Sequence, residues 1–268
     1  MRLALFQSEP QGMRGIEAAL DLLDRAANEA MADGADLLVT PEMYLTGYAI
    51  GTDRVRKVAM NDDDSAMTAV SRIAGRHGIG IVVGYPQANG TALPYNTARF
   101  FGRSGEVLAT YRKTHLWPAV DDAQFSRGDS LSPVVAFAGA KIAMGICYDI
   151  EFPEYARALR LAGADVVAVP TASQAGYASM ATRIVPTRAE ENAMTVAYCN
   201  YCGAEGETPY FGTSVICGPD GETLARAGDD EAVIAADLSR RMKDGDDVLD
   251  RIPSRRPDLY DTLIVSVP

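Results

Sequence analysis

Short apolar runs recur along this chain with helix-like segments between them, and that alternation restricts the fold more than any other feature. Residues 2–7 read as a strand, 15–32 as an amphipathic helix and 36–40 as a second strand ending at Pro41-Glu42. After an irregular stretch, 65–77 reads as a helix and 79–84 as a buried strand. Residues 96–101 and 106–111, joined by a turn over Gly102 to Gly105, complete an antiparallel meander. Strands at 134–137 and 141–144 flank the Gly139 turn, and Pro153 opens a helix that runs to Leu161. A strand at 165–170, a helix at 180–192, strands at 194–199 and 212–217, a Pro219-Asp220-Gly221 turn and a strand at 232–236 follow. Parallel units mixed with hairpins predict an α/β fold, a four-layer α-β-β-α sandwich with two mixed sheets in a single domain. We assign residues 1–240 to that domain and 241–268, rich in Arg, Asp and Pro, to a C-terminal tail.

Composition narrows the partners. Of 268 residues 47% are apolar, enough for a large core. A net charge of -11, from 25 basic against 36 acidic residues, disfavours nucleic acid and anionic lipid. The apolar stretch after Met1 is too short for a secretion signal and no run approaches a membrane span, so a cytoplasmic location is expected. Four cysteines are too few for a disulfide scaffold. Cys199 and Cys202 share a C-x-x-C spacing, but the chain offers only Cys147, Cys217, His77 and His115 as further ligands, so no metal or other cofactor is expected.

Cys147 stands apart from the other thiols. It closes the run that ends Gly145-Ile146 and precedes the helix opened by Pro153-Glu154, which places it at the carboxyl end of a strand, where open α/β sheets bind ligands. The plain alternative is a buried small hydrophobe. A nucleophilic cysteine needs a group that removes its proton or stabilises its anion. His115 could serve, and so could Lys113 with Glu42, both of which follow apolar strands as Cys147 does. Both pairings are compatible with the spacing.

Pro41-Glu42 after a strand, Arg112-Lys113-Thr114-His115-Leu116, and Gly145-Ile146-Cys147-Tyr148-Asp149 with Pro153-Glu154 beyond resemble, in that order, the nitrilase superfamily of carbon-nitrogen hydrolases. Further likeness lies in Pro94-Tyr95-Asn96, Arg188-Ala189-Glu190-Glu191-Asn192 and Gly218-Pro219-Asp220-Gly221, so it spans residues 2 to about 240. The resemblance implies a triad of Glu42 as general base and acid, Lys113 as electrostatic stabiliser and Cys147 as nucleophile. It also implies an oxyanion site made by Lys113 and the backbone N–H of Tyr148, and no cofactor. A neighbouring ammonium is expected to lower the thiol pKa. Many members carry a second glutamate between the lysine and cysteine motifs; here Asp121 or Asp122 falls near that position, one methylene shorter.

Cys147-Tyr148-Asp149 looks like the amidase side of the superfamily, so the expected reaction is hydrolysis of a small carboxamide to an acid and ammonia. N-carbamoyl amino acid hydrolysis, nitrile hydrolysis and an inactive binding protein of the same fold are the alternatives. Where carbamoylases follow their cysteine with an arginine pair, this chain has Ile150-Glu151. Glu151 either favours amides bearing an amino group or only supports the next helix through its dipole. Tyr44, Trp117, Tyr148, Tyr177 and Tyr201 lie in loops that could line a pocket, and Thr171 and Ala172 are candidates for a substrate wall by resemblance. The family implies a homodimer or higher homo-oligomer, with the tail reaching to the partner copy.

Overall fold

Alternate residues of the strand Arg2–Gln7 (β1) settle the layering: Leu3 and Leu5 pack into one buried cluster, Ala4 and Phe6 into another. Successive side chains of a strand point to opposite faces, so a strand that is buried throughout must lie between two layers. The computed structural model describes residues 1–12, 14–238 and 251–264. In chain order the remaining strands are Leu37–Val39 (β2), Gly80–Gln87 (β3), Tyr95–Phe101 (β4), Val107–Arg112 (β5), Val135–Phe137 (β6), Ala140–Met144 (β7), Val166–Pro170 (β8), Thr195–Cys199 (β9), Ala204–Glu205 (β10), Thr208–Pro209 (β11), Val215–Cys217 (β12), Thr223–Arg226 (β13) and Ala232–Asp237 (β14).

One sheet has the order β14-β1-β2-β3-β4-β5 and the other β13-β12-β9-β8-β7-β6, each with parallel and antiparallel pairs. The helices Ile16–Ala32 (α1) and Ser65–His77 (α3) cover the outer face of the first sheet with Leu23, Ala27, Val70 and Ala74. The inner face, through Leu5, Val39 and Phe100, joins one cluster with Ile142, Val167 and Ala197 of the second sheet. Helices Pro153–Leu161 (α5) and Val185–Asn192 (α6) add Leu159 and Ala189 to that second half. The chain is therefore an α/β sandwich of two mixed sheets in a single domain, as its alternation of segments predicts.

The boundaries differ where backbone conformation overrides apolar content. The strand expected from residue 212 begins only at Val215, because Gly212 and Thr213 take φ of 64° and 49°; left-handed residues break a ladder. The helix expected over 180–192 opens as a π-turn, Met180–Ile184, before α6 takes over. Pro186, near the start of α6, lacks the N–H that an ordinary turn would use there. The irregular stretch contains a short helix, Thr52–Lys57 (α2), and another, Asp121–Gln124 (α4), lies in the loop after β5. Half of the expected tail, 241–250 and 265–268, lies outside the described residues; 251–264 forms exposed short turns, with Arg251 paired to Glu190 at 3.0 Å.

Gly84 ties this frame to the site. A Cβ on it would lie 2.4 Å from Met43 N and 2.8 Å from Pro41 O, so the missing side chain is what lets the segment bearing Glu42 lie flat on β3. Gly84→Ala is expected to lower stability by about 2 kcal/mol, the usual scale of overpacking. A urea midpoint equal to that of the parent would refute this.

Candidate active site

Four strand ends converge. Glu42 follows β2, Lys113 follows β5, Cys147 follows β7, and Thr171-Ala172 follow β8. β2 runs parallel to β3, the meander returns β5 to the same direction, and β7 is parallel to β8. The carboxyl edges of both sheets thus face one place. The sheets are linked there by Glu42 N, which donates to Thr171 O at 3.3 Å.

Lys113 is fully buried, and its Nζ lies 2.7 Å from Glu42 Oε1 and 2.6 Å from Asp121 Oδ2, both also fully buried. Asn96 of β4 donates from Nδ2 to the same Glu42 oxygen at 2.7 Å, while its carbonyl accepts from Lys113 N at 2.8 Å. Glu42 Oε2 is buried without a hydrogen-bond partner among the described residues. Asp121 Oδ1 is likewise buried without one. The Tyr48 ring packs 5.7 Å from Lys113 Nζ, and Glu205 Oε2 holds the Tyr48 segment by accepting from Tyr48 N and Ala49 N.

Asp121 and Asp122 separate cleanly. The turn from Trp117 to Asp121, closed by Asp121 N on Trp117 O at 2.8 Å, swings the start of α4 inward, and Trp117 N donates to Asp121 Oδ2 at 2.8 Å. That turn makes up for the shorter side chain. Asp122 faces solvent, 3.8 Å from Arg127.

Cys147 begins a short 3-10 turn, Cys147–Glu151, at φ 46°, and Met43, next to Glu42, has φ 55°. Left-handed non-glycine residues cost about 1–3 kcal/mol and cluster at functional sites. Asp149 fastens this turn to the lysine segment: its carboxylate accepts from Ile146 N at 2.9 Å, Tyr111 Oη at 2.8 Å and His115 N at 3.0 Å.

The electrostatics revise one expectation. Burial and the Glu42 carboxylate hold the Cys147 thiol well above its ordinary pKa, and Lys113 with a backbone hydrogen bond from Ala172 offsets them only in part. The sulfur therefore rests as a thiol, not as the thiolate that a nearby ammonium alone would favour. Burial also raises Glu42, with Lys113 opposing and Asp121 adding to the rise. For Lys113 burial pulls down, but Asp121 and Glu42 outweigh it and the ammonium stays charged. The arrangement brings together a thiol, a charged amine and a carboxyl group with one oxygen unpartnered among the described residues.

Of the residues expected near substrate, Trp117, Tyr148, Glu151, Ala172 and Tyr177 line a pocket of about 340 Å³ with Cys147. Others do not. Tyr44 is buried under α1, its Oη donating to Ala19 O at 2.8 Å and its ring 5.9 Å from Phe6, so it is a core residue and not a pocket residue. Thr171 is also buried, with Oγ1 donating to Val169 O at 3.0 Å; its carbonyl positions Glu42 instead of touching the pocket. Tyr201 packs on Tyr210 at 5.3 Å. The Cys147–His115 pairing is set aside, since His115 Nδ1 lies 2.8 Å from Asp149 and its ring stacks on Phe152 at 4.2 Å. His77 pairs with Asp24 at 2.8 Å. Asn96 and Tyr48 carry no role in the sequence analysis; Asn96 lies in a strand that also holds Thr97 and Arg99, so only its complete burial beside Glu42 marks it.

Comparison with known proteins agrees with this geometry. The family model described as carbon-nitrogen hydrolase matches residues 2–244. A Pseudomonas protegens protein described as "Hydrolase in pqqF 5'region" is 42% identical over 264 residues, covering 98% of this chain and 92% of the relative. The 2-oxoglutaramate amidase of Bacillus subtilis is 31% identical, covering 84% of this chain and 87% of its own. The amidase from Nesterenkonia sp. AN1, solved with acrylamide added at its active-site cysteine, is 33% identical with a TM-score of 0.86, covering 98% of this chain and 100% of that one.

Proposed function

The chain belongs to the carbon-nitrogen hydrolase family of the nitrilase superfamily and is an amidase-type enzyme, and from that premise we propose that it cleaves small carboxamides through a thioester on Cys147. The observation that carries the reading is the buried Lys113, held between Glu42 and Asp121 beside a cysteine that opens on the pocket.

Glu42 Oε2 takes the thiol proton as the sulfur attacks the amide carbonyl, because the raised thiol pKa leaves no standing thiolate. The oxygen that becomes negative faces the Lys113 ammonium and the N–H of Tyr148, fixed donors of the kind that each contribute about 3 kcal/mol to the transition state. Glu42 passes its proton to the departing nitrogen, and ammonia leaves. Water then attacks the thioester, Glu42 takes its proton, and the acid departs as the sulfur regains a hydrogen. Asp121 is the second carboxylate, holding the lysine's ammonium in place through the 2.6 Å contact. Asp122 has no part in this.

The reading places the enzyme in the cytoplasm as a homo-oligomer. Leu259 and Leu263, exposed on the turns of 251–264, suit an arm that a second copy would cover.

Ammonia release from a panel of short carboxamides, N-carbamoyl compounds and nitriles tests the reaction class. Turnover of the carboxamides well above the rest is expected; turnover confined to nitriles or carbamoyl compounds would overturn it.

A further inference from the structure

We propose that the preferred amides carry a protonated amine at the end of the acyl chain remote from the scissile bond, with Glu151 as its counter-ion and the rings of Trp117, Tyr148 and Tyr177 around it. The inference rests on the amidase reading and adds the class of substrate. Among the residues that line the pocket, Glu151 is the one with a formal charge. Behind them, two carboxylates, Glu42 and Asp121, share one ammonium, Lys113. The site as a whole is negative.

Glu151 has no counter-ion in direct contact among the described residues. Its carboxylate makes no hydrogen bond or ion pair with the described residues. The nearby guanidinium of Arg188 is committed elsewhere, to Ile150 O at 3.0 Å, Glu151 O at 2.7 Å and Glu191 Oε1 at 3.1 Å. Burial accordingly lifts the Glu151 carboxyl above the usual range, against the partial pull of Lys113 and Arg188. No side-chain hydrogen bond caps the following helix, and its first turn holds Glu154. A carboxylate left without a partner on a pocket surface costs free energy until a cation arrives.

The rings point the same way. Trp117 meets Tyr148 edge-on at 5.1 Å and Tyr177 at 5.4 Å, forming an aromatic corner beside Glu151. Ring faces are electron-rich and attract ammonium groups, more so when both are partly desolvated. An anionic tail meets repulsion from Glu151 and the rings alike. A neutral tail keeps the apolar contact but strands the carboxylate.

Three amides of nearly equal size separate these cases: 5-aminopentanamide, hexanamide and adipic acid monoamide. For the parent enzyme kcat/KM should favour 5-aminopentanamide over hexanamide by about ten-fold or more, and adipic acid monoamide should be poorest. In Glu151→Gln the amine-to-neutral ratio should fall by about ten-fold. In the parent that ratio should climb with pH as Glu151, held above the usual carboxylate range, ionises, a rise the variant lacks. A parent ratio at or below one, or a ratio untouched by Glu151→Gln, overturns the proposal. Calorimetric titration of Cys147→Ala with the same amides reads binding without turnover; equal affinities for the amine and the neutral amide would also overturn it. Absence of ammonia release from all three, with the binding preference intact, would count against the amidase reading and not against the charge preference.

Discussion

Cys147→Ala and Cys147→Ser are each expected to release ammonia from a short carboxamide about 10⁴-fold more slowly than the parent, or worse, the scale on which deleting a catalytic nucleophile acts. Alanine removes the atom that bonds to the carbonyl carbon. Serine retains a nucleophile of the right size, but its hydroxyl is far less acidic than a thiol, and the proposed base is the Glu42 carboxylate, whose Oε2 has no hydrogen-bond partner among the described residues. Glu42 already works against a thiol that burial has made reluctant to ionise. Neither replacement should unfold the protein, because both keep a Cβ at φ 46° and so leave the backbone strain as it is. An ammonia assay beside a thermal melt separates the two effects. A serine enzyme that runs at the parental rate would end the thioester mechanism.

Lys113→Met should cost both activity and stability. The ammonium sits within 2.7 Å of two carboxylates in a site from which water is excluded, so its removal leaves like charges facing each other with nothing between them. Breaking a buried ion pair from one side costs about 3–5 kcal/mol. One carboxyl of the pair must then take up a proton to fold, which raises its folded pKa above its unfolded value. Stability tied to a raised carboxyl is present at acid pH and is lost as pH rises, so the deficit against the parent should be small near about pH 4 and full at neutrality. Urea unfolding at both pH values checks this. Activity should fall by about 10³-fold, through the lost oxyanion donor and a Glu42 that now holds its proton. A methionine variant as stable as the parent at neutral pH would show that the three side chains do not form the charged cluster described.

The strand ends were legible because their signals are local. Glu42, Lys113 and Cys147 each follow an apolar run directly, and Pro153 marks the helix start after the nucleophile at the residue where α5 begins. Side-chain direction was not legible. Tyr44 and Tyr148 both occupy loops that follow strands, yet one is buried beneath α1 and the other lines the pocket. The choice between Asp121 and Asp122 turned on a single backbone hydrogen bond to Trp117 O, which rotates one carboxylate to the lysine and the other to solvent. Asn96 carried no such signal, because its strand also holds Thr97 and Arg99 and only the folded chain turns its amide to Glu42.

From the amino-acid order came the α/β layering, since periodicity and turn residues act over a few positions, and, through motif resemblance, the family and the three side chains at the carboxyl ends of strands. Tertiary structure decided which acid accompanies the lysine, which rings line the pocket, and that burial raises the Cys147 thiol. Those properties depend on burial and on summed charge from segments far apart in the chain, and neither exists until both sheets have closed on each other.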